Sequence, residues 1–393
     1  MIGVCIKYFH KNYGGMLQAY ATTAMLEQRG IDYELIRYKK ERSVKAILRS
    51  LPRLLNRILL NDKYEALLKK VGMKLHPELE AKDAVRNGCF DAFCDIHFTK
   101  LSPVFEGYSQ LCEGAQRYSA VITGSDQLWS PAGLPTNYYN LMFVPEETLK
   151  ISLASSFGVN EIPWYQKKRT AAFLKRLDYI SMRENRGSEI VKELTGRDVP
   201  TILDPVFFLS REEWEEKIPN RREMEEPYIF VYFLGTTREH RIAVSEFARQ
   251  KGMKIVTLRH MDQYVAEDEN FGDIAPYDVS PDRFLNLLRN AEYVFTDSFH
   301  GTAFSVINRK QFVVFNRYLE QSSFSKNSRI DTLCENFGLS QYRFGREKSL
   351  EQVLETPIDY TKVDQRLETQ QQITREYLDK ILYAIYKREQ YQF

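Results

Sequence analysis

Cysteine and histidine are both scarce in this sequence. The 393 residues contain five cysteines, an odd number, and no two of them form a Cys-X-X-Cys pair. The six histidines show neither His-X-His nor His-X-X-X-His spacing. These absences argue against a disulfide framework and against a structural zinc site. We therefore expect reduced thiols in a cytoplasmic protein, with no metal and no cofactor.

Long apolar runs and an excess of charge are absent as well. No apolar stretch reaches the roughly 18 residues of a membrane span. The apolar start at residues 2–6 ends at Lys7, which is too short for a signal peptide. The chain has 55 basic and 53 acidic residues, a net charge of +2, so its total charge predicts no nucleic-acid partner. These observations predict a cytoplasmic globular protein.

The first residues carry a strand–helix–strand pattern. Residues 3–8 are mostly apolar and predict a buried strand, residues 16–29 have helical spacing, and residues 33–38 predict the next strand. Such a βαβ opening is typical of a parallel sheet. Later apolar runs predict further strands, among them residues 120–123 and 179–182.

The α/β pattern begins again after a charged stretch. Residues 211–226 are rich in Glu and Arg and predict a surface helix and linker, and a second α/β series starts at residue 228. We therefore expect two Rossmann-like domains in residues 1–210 and 225–345, which face each other across a cleft in a glycosyltransferase-B-like architecture. The remaining residues, 346–393, form a helical tail whose long charged helix is predicted at about 361–389.

One segment of the first domain is strongly basic. Residues 39–74 contain eleven Lys and Arg against three Asp and Glu, and residues 39–75 are interpreted as a basic amphipathic insertion. Seven Ile and Leu residues between 45 and 60 fall on one helical face. Two interpretations stay open. This segment rests peripherally on the inner face of a membrane, or its leucines pack on the domain and its bases are solvated.

Glycine is sparse, at 19 of 393 residues, yet it recurs directly after predicted strands. Backbone N–H groups at such turns, and at the helix N-termini that follow them, are suited to binding anions. The three turns are Asn12-Tyr13-Gly14-Gly15, Thr123-Gly124-Ser125-Asp126 and Ser298-Phe299-His300-Gly301.

Several polar residues at these turns have two interpretations each. His300 is either a histidine packed in an aromatic core or an acid–base group at the start of a helix. Arg183-Glu184, after the predicted strand 179–182, is either a surface ion pair or part of a site at the sheet edge. Ser328, next to Arg329, fits a helix N-cap.

Taken in order, these motifs resemble the polysaccharide pyruvyltransferase family. The resemblance spans about residues 1–345 and rests on NYGGMLQAYA, ITGSDQLW, SMRENRGSEIVKELTG, the LDP of 203–205, TDSFHGTAFSV and the SRI of 328–330. It implies a glycosyltransferase-B-like fold. It also implies transfer of a pyruvyl group from phosphoenolpyruvate onto two hydroxyls of a sugar in a polysaccharide or lipid-linked glycan precursor, giving a cyclic ketal and phosphate.

The resemblance assigns roles to individual residues. His300 corresponds to the catalytic histidine, and Arg183 to a ligand for the acidic groups of the donor. The candidates for the base that deprotonates a sugar hydroxyl are Asp126, Glu184 and Asp297. The other expected donor-binding residues are Ser298, Phe299, Gly301, Lys326 and Arg329, and the expected acceptor-binding residues are Asn12, Gly14, Gly15, Gln18 and Ser125.

One position departs from the family pattern. Family members often carry Arg-Leu-His where this chain has Ser298-Phe299-His300, so an arginine that would hold the donor is absent. The nearest cations in sequence are Lys326, Arg329 and Arg317. Two alternative functions therefore stay open: a sugar-nucleotide-dependent glycosyltransferase of the same architecture, and a non-catalytic glycan-binding relative.

Overall fold

The structure is a computed structural model that describes residues 1–41, 57–131, 136–317, 328–345 and 347–390. Lys326 and most of the predicted membrane segment 45–60 lie outside the described residues. Two parallel sheets organise the described chain. None of the described helices is long and apolar enough to cross a membrane.

A five-stranded parallel sheet forms the centre of the first half. Its strands are β1 (Ile2–Cys5), β2 (Tyr33–Lys39), β3 (Leu101–Glu106), β4 (Ala120–Thr123) and β5 (Leu149–Ser152). They lie in the order β3-β2-β1-β4-β5, and every neighbouring pair is parallel. All residues of β1 and β4 are buried, because helices cover both faces of a parallel sheet.

The helices of the first half begin where side chains can satisfy their free N–H groups. They are α1 (Tyr13–Gln28), α2 (Arg57–Leu75), α3 (Pro77–His97), α4 (Gly107–Gly114), α5 (Trp164–Arg176), α6 (Asn185–Thr195) and α7 (Arg211–Lys217). Helix α1 starts three residues before the predicted residue 16, because the Asn12 side chain accepts the N–H of Gly15 at 2.9 Å. Helix α7 opens with a capping box between Ser210 and Glu213.

The strand predicted at 179–182 forms single bridges instead of a continuous ladder. Tyr179 pairs with Ile151, and Met182 pairs with Ser155 and Thr201, all in parallel. Between the bridges the Ser181 hydroxyl accepts the Ala154 N–H at 3.0 Å and donates to the Ser152 carbonyl at 2.9 Å. The segment therefore still extends the sheet, but a side chain replaces part of the backbone ladder.

A four-stranded parallel sheet forms the centre of the second half. Its strands are β6 (Tyr228–Tyr232), β7 (Lys254–Thr257), β8 (Tyr293–Thr296) and β9 (Gln311–Val314), in the order β7-β6-β8-β9. Its helices are α8 (Arg238–Lys251), α9 (Pro281–Arg289), α10 (Phe299–Ile307), α11 (Ser328–Phe337) and α12 (Leu350–Val353). The division into domains 1–210, 225–345 and 346–393 stays a prediction.

The two halves share one apolar core. Tyr13 at the start of α1 stacks on Phe284 of α9, with ring centroids 4.8 Å apart and planes 6° apart. A single cluster of buried apolar side chains includes residues of both sheets. The last helix, α13 (Tyr360–Gln390), then returns to the first half, where the Tyr377 hydroxyl donates to the Ser152 carbonyl at 2.6 Å. The halves are therefore packed against each other as well as joined by the chain.

Candidate active site

Side chains from both halves meet at a single buried carboxylate. Oδ2 of Asp204 accepts hydrogen bonds from the Ser125 hydroxyl at 2.8 Å and from Nη1 of Arg183 at 2.8 Å. Nε2 of His300, which belongs to the second half, lies 3.7 Å from the same oxygen. All four side chains are buried. The ends of β4, of the bridged segment 179–182 and of β8 therefore converge on Asp204.

Asp204 is held in place by the turn that follows it. Its Oδ1 accepts the N–H of Val206 at 3.1 Å, which caps a short 3₁₀ helix that begins at Pro205. Burial alone would raise the pKa of Asp204, but His300 and Arg183 lower it well below the usual range. Asp204 is therefore ionised at neutral pH. Sequence reasoning missed it as a site residue, although the LDP motif at 203–205 was a signal.

Arg183 uses only part of its guanidinium to bind Asp204. Its Nε and Nη2 are buried and have no hydrogen-bond partner among the described residues, with Oδ1 of Asp126 3.7 Å from Nη2. The guanidinium carbon lies 4.6 Å from the ring centroid of Phe299, a cation–π contact with the second half. Buried guanidinium N–H groups are normally bonded, so these nitrogens are well suited to bind an anion.

His300 lies in the first turn of α10. Ser298 caps this helix by accepting the Gly301 N–H at 3.3 Å, so the residue that replaces the family arginine has a structural role. Gly301 is required by close packing, because a Cβ there would lie 2.5 Å from Oγ1 of Thr296. His300 is 6% exposed, and its Nε2 has no hydrogen-bond partner in the part of the chain that the structure describes.

The start of α1 packs against the histidine ring. A Cβ on Gly14 would lie 2.3 Å from Cγ and Nδ1 of His300, so only glycine fits at this position. A Cβ on Gly15 would instead meet Oδ1 of Asn12 at 3.5 Å, an ordinary contact. One residue predicted to bind the acceptor, Gly14, therefore contacts the predicted catalytic histidine directly.

Asp126 borders the cluster and is partly open to solvent. It has a positive φ of 70°, a conformation in which Asp is one of the better tolerated residues. Its Oδ2 lies 3.9 Å from Nζ of Lys7, and 24% of its side chain is exposed. Burial would raise the pKa of Asp126, but Lys7, Arg183 and His300 lower it well below the usual range. Lys7 was missed by sequence reasoning, although it closely follows β1.

Glu184 is buried beside Arg183. Its Oε1 accepts the Ser156 hydroxyl at 2.9 Å, whereas Oε2 has no hydrogen-bond partner among the described residues. Burial raises the pKa of Glu184, and the charges of Arg183 and Arg329 lower it in part. Arg329 also lowers the pKa of Asp126. Arg329 therefore lies close enough to the cluster to act on two of its carboxyl groups.

Two predicted site residues form hydrogen bonds with the structure around them. The Asp297 carboxylate accepts the N–H groups of Leu234 and Gly235, each at 2.7 Å, and so anchors the loop after β6. The Gln18 amide is fully buried in α1, where its Nε2 donates to the Thr22 hydroxyl at 2.9 Å and its Oε1 has no hydrogen-bond partner among the described residues. The roles predicted for Asp297 and Gln18 stay predictions.

Over the described residues, no group of three or more His, Cys, Asp or Glu side chains has the arrangement of a metal site.

Comparison with solved structures identifies the fold. UDP-GlcNAc 2-epimerase from Neisseria meningitidis, bound to UDP-GlcNAc, matches with a TM-score of 0.51 at 9% identity, over 98% of this chain and 99% of that chain. UDP-N-acetylglucosamine 2-epimerase from Rickettsia bellii matches with a TM-score of 0.51 at 9% identity, over 98% and 96%. These identities are too low to carry function. The predicted α/β fold with two facing parallel sheets, glycosyltransferase-B-like and closed by a long helix, is confirmed.

The family is identified from the sequence match. No curated protein sequence matches the chain. The family model for polysaccharide pyruvyl transferase matches residues 12–317, which contain Gly14, Arg183, Asp204 and His300. Because that match covers well over half of the chain, the predicted membership is confirmed, and this protein belongs to the polysaccharide pyruvyl transferase family.

Proposed function

We propose that this protein transfers a pyruvyl group from phosphoenolpyruvate onto two hydroxyls of one sugar, forming a cyclic ketal. Membership in the family implies an enzyme that acts in polysaccharide synthesis. The proposal adds the donor and the roles of the residues around Asp204. The acceptor is a sugar of a polysaccharide or of a lipid-linked glycan precursor.

One observation carries the proposal. Arg183 and His300 come from different halves of the molecule, and both approach Oδ2 of Asp204, Arg183 with a hydrogen bond at 2.8 Å and Nε2 of His300 at 3.7 Å. Each side chain also has buried nitrogens without hydrogen-bond partners among the described residues. Phosphoenolpyruvate is a compact polyanion and needs a fixed cation together with a proton donor. This pair provides both within one cluster.

The reaction balances without a redox partner. A proton is added to the terminal carbon of phosphoenolpyruvate while one sugar oxygen bonds to the central carbon. A carboxylate base takes up the proton of that hydroxyl, and the proton returns through solvent to the acid. The second sugar oxygen then replaces phosphate at the same carbon, and its proton leaves with the phosphate. In the proposal His300 donates the first proton, since histidine can hold and release a proton near neutral pH.

Among the three candidate carboxylates, Asp126 best fits the base. It is partly exposed at the open side of the cluster, and its Oδ1 lies 3.7 Å from Nη2 of Arg183. Asp297 is engaged by two backbone N–H groups, and Glu184 is buried against Ser156. We therefore assign proton removal to Asp126 and treat Glu184 and Asp297 as positioning residues.

Other cations take the place of the absent family arginine in this proposal. Lys7 lies 3.9 Å from Asp126, and Arg329 acts electrostatically on Asp126 and Glu184. Both extend the positive charge of Arg183 at the open side of the cluster. We assign the donor phosphate and carboxylate to Arg183, Lys7 and Arg329 together. Phosphoenolpyruvate is a cytoplasmic metabolite, so we also infer a cytoplasmic enzyme.

A single substitution tests the catalytic role of His300. We expect His300→Asn to lower the rate of ketal formation by roughly 10²–10⁴-fold, because general acid catalysis typically contributes that much. Donor affinity should change little, since the guanidinium of Arg183 remains. Turnover is measured as phosphate release and as the mass increase of sugar acceptors incubated with phosphoenolpyruvate.

A matched control separates catalysis from packing. The side chain of His260 is also largely buried, at 6% exposed, and its Nδ1 lies 2.8 Å from Oδ2 of Asp268. His260→Asn should lower thermal stability as His300→Asn does, but it should leave turnover unchanged. Near-normal ketal formation by a folded His300→Asn protein would remove this histidine from the mechanism.

Ligand-dependent melting tests the donor class. A ligand present at 100 times its Kd should stabilise the folded protein by about 2.7 kcal/mol. The proposal predicts this stabilisation with phosphoenolpyruvate. Stabilisation by a nucleotide sugar alone would instead support a glycosyltransferase, and stabilisation by sugars alone would support a glycan-binding protein.

A further inference from the structure

Helix α2 presents an apolar stripe to solvent. Leu60, Tyr64, Leu67, Val71 and Leu75 are 45%, 61%, 58%, 50% and 73% exposed. They are three or four residues apart, so they lie on one face of the helix. Single exposed apolar residues are common on protein surfaces, but five in a row along one helix mark an interaction surface. We call these five residues the α2 stripe.

The other side of α2 is attached to the second half of the molecule. Nζ of Lys69 forms an ion pair with Oδ2 of Asp262 at 3.0 Å. A Cβ on Gly72 would lie 3.8 Å from Cβ of Tyr264, and the ring of His76, directly after the helix, stacks on Tyr264 with centroids 3.7 Å apart. These contacts fix the rotation of the helix. They use its polar side and leave the α2 stripe facing away from the protein.

Positive charge accompanies the stripe. Lys70 and Lys74 are exposed and lie next to Leu67 and Val71 on the helix surface. They belong to the segment 39–74, in which eleven Lys and Arg stand against three Asp and Glu. An apolar helix face with lysines beside it is the pattern of helices that lie in the plane of an anionic membrane surface.

We propose that the α2 stripe is a membrane-docking surface for a bilayer that contains anionic lipids. The apolar side chains insert between the headgroups, and Lys70 and Lys74 contact lipid phosphates. The Tyr64 ring lies at the boundary, because its apolar body and polar hydroxyl suit that region. This surface shares only Leu60 with the segment 45–60 that the sequence suggested. The membrane proposal depends on α2 and on none of the active-site residues. It would therefore hold even if the proposed pyruvyl transfer were disproved.

Charge argues against a second copy of the chain as the occupant. A symmetric dimer places the same patch of both copies together. Two α2 helices, each with the exposed Lys70 and Lys74 beside its stripe, would then repel one another. An anionic lipid surface instead offers complementary charge together with an apolar layer into which exposed side chains can insert.

Vesicle flotation of the full chain tests this surface. We expect binding to vesicles of phosphatidylcholine and phosphatidylglycerol in equal parts at about 0.1 M salt, and much weaker binding to pure phosphatidylcholine. Binding should weaken at about 1 M salt, where the Debye length falls from ~10 Å to ~3 Å. Combined Lys70→Ala and Lys74→Ala should weaken it by about 25-fold, since each basic residue near such a surface contributes roughly fivefold.

Apolar variants and matched controls locate the surface on the helix. Combined Leu67→Ser and Val71→Ser should weaken vesicle binding by more than about tenfold without lowering the melting temperature, because both side chains are already exposed. Ile242, which is 53% exposed on α8, supplies the apolar control Ile242→Ser. The exposed Lys192 and Lys251 supply the charge control as a double alanine variant. Both controls should bind vesicles normally.

Three outcomes would overturn the proposal. The first is no flotation with phosphatidylglycerol at low salt. The second is flotation that Leu54→Asp abolishes and the α2 variants leave unchanged, which would assign binding to the segment 45–60. The third is a dimer in sedimentation velocity that Leu67→Ser dissociates, which would make a second copy the occupant.

Discussion

Asp204 joins three functional side chains through one carboxylate oxygen. Arg183 and Ser125 donate to Oδ2, and Nε2 of His300 lies 3.7 Å away. A buried arginine is tolerated only if its charge is compensated nearby. Asp204 is therefore both the partner that allows Arg183 to be buried and the group that places Arg183 beside His300.

Asp204→Asn should lower the free energy of unfolding by ~3–5 kcal/mol at pH 7, because it leaves a buried guanidinium without its hydrogen-bonded counter-charge. The depressed pKa of Asp204 gives a pH signature. The ionised carboxylate contributes fully to the free energy of unfolding above its unfolded pKa of about 3.9. This contribution is lost as the pH falls below that value toward the lower pKa of the folded state. The difference in the free energy of unfolding between wild type and Asp204→Asn, measured with urea, should therefore become smaller below about pH 4. Asp198→Asn, at an exposed pair with Lys192, is the control and should change little.

Glu184 has the opposite dependence on pH. Burial raises its pKa, so the folded protein binds the proton of this carboxyl group more tightly than the unfolded chain does. This contribution to stability is complete below the unfolded pKa of about 4.3 and is lost as the pH rises through the folded pKa. Glu184→Gln should therefore be more stable than wild type at pH 8, and the difference should shrink toward pH 4.

Thermal melts across this pH range test the assignment. Ser156→Ala removes the hydroxyl that donates to Oε1 of Glu184 at 2.9 Å, so it should raise the pKa of Glu184 further and steepen the loss of stability with rising pH. At each pH the melting temperature of Glu184→Gln is compared with that of wild type. A variant whose advantage over wild type is smaller at pH 8 than at pH 4 would contradict the raised pKa.

At the scale of elements, the first turns of α1 and α10 touch through a glycine and a histidine. Gly14→Ala would place a Cβ 2.3 Å from the His300 ring and must displace it. Overpacking of this kind typically costs ~1–3 kcal/mol of stability. We expect ketal formation to fall by more than tenfold in addition, since a general acid works only at hydrogen-bond distance from its target.

The neighbouring glycine is a matched control for this contact. A Cβ on Gly15 would meet only Oδ1 of Asn12, at 3.5 Å. Alanine is a better helix former than glycine by up to about 1 kcal/mol, so Gly15→Ala should hold or raise the melting temperature and should lower activity less than Gly14→Ala does. Equal loss of activity in both variants would show that the Gly14–His300 contact has no special part in the reaction.

At the scale of the whole molecule, α13 holds the two halves together. Arg309, after α10, pairs with Asp364 near the start of α13 at 2.6 Å, whereas Tyr386 near its end donates to the Arg29 carbonyl at 2.7 Å. Because α13 is packed on both halves, a change in its middle should weaken the whole fold. Ile381 is buried there, whereas Tyr383 is 69% exposed.

Ile381→Ala should lower the free energy of unfolding by ~2–5 kcal/mol, the usual range for removing a buried Ile side chain. Tyr383→Ala should change it by less than about 0.5 kcal/mol. Urea unfolding followed by circular dichroism and by tryptophan fluorescence should give coincident transitions. Two separate transitions in the wild-type protein would mean that α13 does not couple the halves.

The sequence by itself determined several of the elements, the fold class and the family. The strand predicted at 120–123 is β4, the closing helix predicted at about 361–389 is α13, and two parallel sheets appear where the βαβ patterns indicated them. These signals are local, because strand and helix periodicity are properties of neighbouring residues. The ordered motifs indicated Arg183 and His300, although their roles stay predictions.

Only the tertiary structure decided which side chains meet. Gly14 contacts His300, and Asp204 binds Arg183 and Ser125, through contacts between residues far apart in the chain. It also decided that Asp297 anchors a loop and that the apolar stripe of α2 faces outward. Periodicity shows that a helix has an apolar face, but packing determines whether another element covers it. Such contacts depend on how the two sheets face each other, and that orientation is absent from any local pattern of residues.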